Sequence, residues 1–217
     1  MLAVDDHPLA AVLRAALQSD FPPANNAVEV LPPLDGPVDA VVDFSAHSYV
    51  IADLDHDEVR SNLPHTGPGA TFNATFLTWL AGRLGTRPGV LDLVVVAYGT
   101  GKPDKELKAR NDLWDHPRVI SATRHRRELS LYSDARGAAV VTLGRGLVGR
   151  REVSIEIERE ERGRGLGRRL ARAALSLIPE GEPLFAQVSP GNIASVRAFL
   201  AAGYRPVCAE VMFLKAN

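Results

Sequence analysis

Residues 151–168 read REVSIEIEREERGRGLGR, and the change of period inside this stretch decides the fold. From Arg151 to Glu158 polar and apolar residues alternate strictly. Val153, Ile155 and Ile157 fall on one face of an extended chain, and Glu152, Ser154, Glu156 and Glu158 on the other. From Gly165 to Leu177 the period is helical, with Leu166, Leu170, Ala173, Ala174 and Leu177 forming one apolar stripe. Between strand and helix lie Gly163, Gly165 and Gly167, with Arg162 and Arg164 among them. A helix that opens on such a loop presents unpaired N–H groups and a positive dipole end to an anion. Each glycine in a first helical turn costs about 1 kcal/mol against alanine. Three at alternate positions favour a phosphate loop over a merely capped surface helix.

Two other glycine-rich stretches do not have this context. Gly144-Arg-Gly146-Leu-Val-Gly149 spells the dinucleotide fingerprint and repeats the Gly-Arg-Gly-Leu found at Gly163. It leads into the strand REVSIEIE, not into a helix, so it reads as a bend between antiparallel strands. Gly99-Thr-Gly-Lys102 has Val96 and Pro103 where a P-loop needs glycine and a hydroxyl residue.

Outward from the deciding stretch, RRELSLYS (126–133) and AAVVTL (138–143) read as a hairpin around Asp134-Ala135-Arg136-Gly137. PLFAQVS (183–189) reads as a strand, Asn192–Ala202 as a helix and PVCAEVMFL (206–214) as a strand. This order predicts an α/β (α+β) fold with a mixed, mostly antiparallel sheet flanked by helices, not a doubly wound one. Upstream, residues 7–19 suit an amphipathic helix, and DAVVDFSAHSYVIAD (39–53) two short strands around Ser45-Ala46-His47. Asp55 and Glu58 suit the start of a short helix, and Thr71 that of a helix reaching Leu84. LDLVVVAYG (91–99) reads as a buried strand and residues 104–114 as helical.

The chain has 217 residues, a formal net charge of −1 and 46% hydrophobic residues, enough for a sizeable core and too neutral for a protein that coats nucleic acid or an anionic membrane. Cys208 is the single cysteine, which excludes a disulfide framework, and it reads as a small core residue. The start, MLAVDDHPLA, lacks a secretory pattern, and no apolar run reaches the length of a membrane helix, so a cytoplasmic location is expected. His7, His47, His56, His65, His116 and His125 show no metal spacing and read as surface or capping residues; no metal is expected. Arg118, Arg124, Arg126 and Arg127 form a local basic run that reads as a solvated strand edge.

The loop Arg162-x-x-Gly165-x-Gly167 at a strand-to-helix junction resembles the acyl-CoA pyrophosphate loop of the GNAT superfamily of N-acetyltransferases. Val188-Ser189-Pro190-Gly191-Asn192-Ile193-Ala194-Ser195, followed by Phe199, Gly203 and Tyr204, resembles the second motif of that family. The resemblance covers about residues 118–217 and implies an acyl-CoA-binding catalytic domain there, with splayed central strands. Residues 1–117 carry neither motif and remain a variable region, a small domain or a degenerate second copy. The resemblance further implies that acetyl-CoA is co-substrate and an amine of a small molecule, protein or peptide the acceptor. Its pantetheine would pair with backbone at Ile157, Glu158 and Arg159, and its pyrophosphate would sit on Arg162, Gly163, Arg164, Gly165, Leu166, Gly167 and Arg168. Asn192 and Ser195 would contact the pantetheine arm or the adenosine side. The resemblance leaves a monomer or a homodimer open.

Acyl transfer to an amine needs a proton acceptor. Glu152 matches the position where many family members carry a glutamate and is the first candidate, Glu156 the second; otherwise the three glutamates are the solvated face of a half-buried strand. Where the family often has a tyrosine as general acid this sequence has Phe199. Water or Tyr204 would then serve, or the protein is a non-catalytic acyl-CoA-binding module.

Overall fold

The computed structural model describes residues 6–102 and 104–215. The N-terminal leader reading rests partly on residues 1–5, and the P-loop comparison partly on Pro103, which lie outside the described residues. The fold is mixed α/β, with a large, mostly antiparallel open sheet flanked by helices. Two compact units divide it: residues 1–93 with 207–217, and residues 94–206.

The first unit opens with α1 (Pro8–Leu17). His7 caps it by accepting from the Leu9 N–H at 3.1 Å, and Pro8 needs no hydrogen-bond acceptor in the first turn. β1 (Val28–Leu31), β2 (Val38–Asp43), β3 (Ser48–Ile51) and β10 (Arg205–Leu214), whose residues from Val207 onward belong to this unit, lie in the order β1-β3-β2-β10. β2 and β3 are the two strands expected around Ser45-Ala46-His47, where Ser45 and Ala46 take positive φ in a tight turn. Asp55 caps α2 (His56–Ser61) through the N–H groups of Asp57 and Glu58. The helix expected from Thr71 starts later. Asn73 accepts from the Thr75 N–H at 2.9 Å, so α3 runs Ala74–Arg83 behind a single 3-10 turn at Ala70–Phe72. Phe76 and Leu80 of α3 are fully buried against Val41, Val50, Val211 and Phe213. In this unit Lys215 reaches the buried carboxylate of Asp39 at 3.1 Å.

The second unit contains residues 94–98 of β4 (Pro88–Tyr98), then β5 (Lys108–Arg110), α4 (Pro117–Thr123), β6 (Arg127–Ser133), β7 (Ala139–Arg145) and β8 (Arg151–Ile157). α5 (Leu166–Ala174), β9 (Pro183–Val188) and α6 (Ile193–Ala201) complete it. Its strand order is β4-β9-β8-β7-β6-β5. β7 and β8 pair without interruption from Ala139↔Ile157 to Arg145↔Arg151, so the alternation of β8 is unbroken; the irregularity lies in β6, between Arg127 and Ser130.

Two expectations fail here. Residues 104–114 are not helical: Asp104 accepts from the Glu106 N–H at 2.7 Å and closes a local turn, and Lys108–Arg110 pair with Leu131–Ser133 as an edge strand. Sheet pairing overrides the helix propensity of the segment. Of the arginine run 118–127 only Arg127, exposed at the start of β6, lies on a strand. His116 accepts from the Arg118 N–H at 3.1 Å and Pro117 occupies the first turn, which starts α4, while Arg126 is buried.

The Gly99–Lys102 loop spends its N–H groups on protein carbonyls. Gly99, Thr100 and Gly101 donate to Glu182, Leu175 and Ile178 at 2.8, 2.9 and 3.0 Å. A Cβ on Gly99 would lie 2.3 Å from the Pro179 carbonyl oxygen. Gly99→Ala is therefore expected to lower the unfolding free energy by about 1–3 kcal/mol, because rigid backbone must yield; urea denaturation against wild type measures it.

Candidate functional site

The strand β8 carries the site, and its relation to β9 defines it. The two run parallel and share one ladder pair, Glu152↔Phe185; beyond it β8 continues to Ile157 and β9 to Val188 without a further pair. A slot between diverging strands presents backbone amides that no neighbouring strand satisfies. At its open end β8 gives way to the 3-10 turn Arg159–Glu161 and then the glycine loop.

The loop turns on two left-handed glycines. Gly163 and Gly165 have φ of +79° and +78°, and a Cβ on either would meet nothing within 4 Å. Backbone conformation, not crowding, demands glycine at both. Gly165 is the N-cap of α5 and supplies no side-chain hydrogen bond, so the first-turn N–H groups stay uncapped. Gly167 serves packing: a Cβ there would sit 3.3 Å from Ile157 Cδ1 and 3.5 Å from Ala198, so α5 lies close on β8 and α6. Arg164, Gly165, Arg168, Arg169 and Arg172 line one shallow depression. Arg164 pairs with Glu161 at 3.2 Å and Arg169 with Glu106 at 3.6 Å; among the described residues Arg168 and Arg172 carry no ion pair. Arg162 turns back and donates from Nε to the Ile157 carbonyl at 3.0 Å, tying the loop to the end of β8. Leu166 is buried, while Glu158 and Arg159 are exposed.

Asn192 caps α6 by accepting from the Ser195 N–H at 3.2 Å, so the residues of the second motif build the helix start at the far side of β9. Phe199 is buried and meets Tyr204 edge-on, ring centres 4.9 Å apart. The Tyr204 hydroxyl donates to the Ala171 carbonyl at 3.2 Å, and burial pushes its pKa well above that of an ordinary phenol. Phe199 has no ionisable proton, and the Tyr204 hydroxyl is committed to the Ala171 carbonyl.

The glutamates of β8 share a face but not an environment. Glu152 is fully buried: Oε2 accepts from Arg126 Nε and Oε1 from Arg150 Nε, each at 2.7 Å. Burial alone would raise its pKa; the charges of Arg150 and Arg126 outweigh burial and bring it down to about 2. Both oxygens are engaged and the ionised form is strongly favoured, which is the environment of a structural ion pair, not of a proton acceptor. Glu156 is different. Its side chain is 40% exposed and accepts from Arg118 Nε of α4 at 3.0 Å. The solvated face expected for this strand therefore begins only beyond Ser154, whose hydroxyl meets Thr142 at 2.7 Å. His125, beside this cluster, is kept neutral: burial first, then the charge of Arg126, lowers its pKa to about 4.

Sequence reasoning missed Arg126, Arg150 and Gln187. Arg126 also donates to Gln187 Oε1 of β9 at 2.7 Å, and the Arg150 guanidinium lies 5.5 Å from the centre of the Phe185 ring. A signal existed in the first Gly-Arg-Gly-Leu. Gly144 stands opposite Glu152 in the ladder, and a Cβ on Gly146 would lie 2.2–2.3 Å from the Glu152 carboxylate. The loop with the dinucleotide spelling is glycine-rich to admit a carboxylate of its own chain.

Among the described residues no cluster of three His, Cys, Asp or Glu side chains is placed to hold a metal, and no helix is long and apolar enough to cross a membrane. No protein-family model and no curated protein matches the sequence. Among solved structures the chain is similar to a GNAT-family protein from Novosphingobium aromaticivorans (21% identity, 60% of this chain and 66% of that one, TM-score 0.45). It is also similar to a GNAT-family acetyltransferase from Colwellia psychrerythraea (11%, 78% and 76%, TM-score 0.43). A third is a GCN5-related N-acetyltransferase from Kribbella flavida (11%, 99% and 96%, TM-score 0.42). The chain spans just under two thirds of the length of the first of these.

The buried ion pair makes a prediction of its own. Glu152→Gln strands two buried guanidinium groups and is expected to cost about 3–5 kcal/mol of unfolding free energy at neutral pH. The native pKa lies near 2 against an ordinary 4.5, so this contribution is complete above about pH 4.5 and is lost as pH falls towards 2. Urea denaturation should show the gap between wild type and variant narrowing across that window.

Proposed function

We propose that the protein is an acetyl-CoA-dependent N-acetyltransferase that moves the acetyl group to a primary amine by direct attack on the thioester. The observation that carries this reading is the single ladder pair between β8 and β9, followed by a slot that ends at a cationic, doubly left-handed glycine loop. Pantetheine is an amide chain that can use the backbone on the β9 side of β8 towards Ile157, Glu158 and Arg159, and a diphosphate suits the N–H groups and arginines of Arg162–Arg168. These residues fit the group. When bound, acetyl-CoA supplies the activated acyl carbon; the chain binds it, orients it and handles the protons. Catalysis belongs to residues 118–217, with the preceding 117 as the variable part that leaves the acceptor undefined. A cytoplasmic setting and action as a monomer or homodimer, without nucleic acid or membrane, complete the proposal.

Glu156 is the carboxylate that takes a proton from the acceptor's ammonium, directly or through water, and so frees the amine to attack, because of the two candidates it is the one with access to solvent. Glu152, the first candidate from sequence, holds the scaffold instead. With Phe199 and Tyr204 closed off, the departing thiolate takes its proton from water. The same closure favours a second reading, a non-catalytic acyl-CoA-binding module.

Calorimetry with acetyl-CoA tests both, and thiol release across amines, polyamines, aminoglycosides and peptides separates them. Turnover with at least one amine is expected. Glu156→Gln should lower it about 10²-fold or more while acetyl-CoA affinity persists. Wild-type turnover in that variant removes Glu156 as the base, and binding without turnover on any amine leaves the module.

A further inference from the structure

The buried ion group does more than stabilise a strand. Both of its arginines reach across the one rung that joins β8 to β9. Arg126 holds Glu152 of β8 and Gln187 of β9 through two bonds of 2.7 Å. Arg150 holds the other Glu152 oxygen at 2.7 Å and places its guanidinium 5.5 Å from the ring of Phe185. Phe185 and Gln187 share a face of β9, and Phe185 is the residue paired with Glu152. The side chains of all three charged residues are at least 96% buried.

The hydrogen-bonding demand of Arg126 explains why Gln187 takes part. Its Nε is spent on Glu152, and a neutral amide oxygen satisfies Nη2 without adding a second ion. Gln187 is thus held by the demand of a buried cation and does not rest there as a surface amide.

Resting on the acyl-CoA reading, we propose that Arg126 and Gln187 are positioning residues that fix where the slot closes, and with it where the thioester lies. Five residue steps of β8 lead from Glu152 to Ile157, about 16 Å of extended strand, and the glycine loop follows. A ligand anchored on that loop by its diphosphate lays its arm along this length. Its reactive end then meets the point where β9 rejoins β8. A closure point that wanders along the strands would let the acyl carbon wander with it, and a misplacement of this kind is costly in an acyl transfer.

The test cuts the β9 arm alone. Gln187→Leu keeps the volume and the Glu152–Arg126–Arg150 core but removes the oxygen. Gln187→Glu returns an acceptor for Arg126 at the same place. Amide hydrogen exchange on the free protein should show protection at residues 185–188 falling about tenfold in Gln187→Leu, with most of it regained in Gln187→Glu. Acetyl-CoA Kd by calorimetry should rise about tenfold in the first variant and recover in the second. Unchanged exchange in Gln187→Leu overturns the closure role. Faster exchange with an unchanged Kd overturns positioning and leaves Gln187 a structural residue. A wild-type protein that binds no acetyl-CoA sinks the acyl-CoA reading itself, a failure seen before any variant is made, while the exchange result still decides whether Gln187 closes the strands.

Discussion

The carboxylate of Glu152, enclosed by Arg126 and Arg150, is the constraint on which the second unit turns. A buried ion group is costly unless its members are closely paired, because each ion has given up its hydration. The surrounding sequence answers that demand. Gly146 clears space for the carboxylate, Gly144 makes room for the backbone and side chains at Arg126–Leu129, Thr142 and Gln187 stand within reach of Arg126, and Phe185 faces Arg150. Elements from the end of α4 to β9 thereby meet at one point, and the strands that diverge from it shape the candidate site.

This arrangement separates two tasks that the sequence pattern merges. Alternation on β8 places Glu152, Ser154 and Glu156 on one face, and from pattern alone all three are equivalent. Depth distinguishes them. At the closed end the face is dry and a carboxylate serves the scaffold; toward the open end it is wet and a carboxylate is available for chemistry. The two Gly-Arg-Gly-Leu copies divide in the same way. The first faces inward and makes room, while the second faces outward and exposes N–H groups.

Much of this was legible because the local signals agreed with the tertiary outcome. The hairpin around Asp134–Gly137, the strict alternation of β8, the apolar stripe of α5 and the Asn192 cap all specify their elements within a few residues. What failed had competing local chemistry. Residues 104–114 are rich in helix formers, yet Asp104 closes a turn and the sheet recruits Lys108–Arg110. The His116-Pro117 start of α4 was masked by the arginines around it, and β1, only four residues long, carries no pattern of its own. In the site, the glycine loop was readable because backbone conformation is written in glycine. The partners of Glu152 were not, since Arg126, Arg150 and Gln187 come together only through the register of three strands.

The parting of β8 from β9 leaves two sheet edges in the interior of a sheet, where other folds have none. Edges elsewhere are blunted by charge, by proline or by a covering helix. Here they lead straight to a glycine loop flanked by arginines, so on the proposed function the occupant suited to the gap is an amide chain with a charged end. Such an occupant completes the sheet as a missing strand would. Stability of this part of the molecule then becomes a function of the ligand's concentration, rising logarithmically once the ligand exceeds its dissociation constant. The chain would thus carry an incomplete sheet whose last strand is supplied from solution.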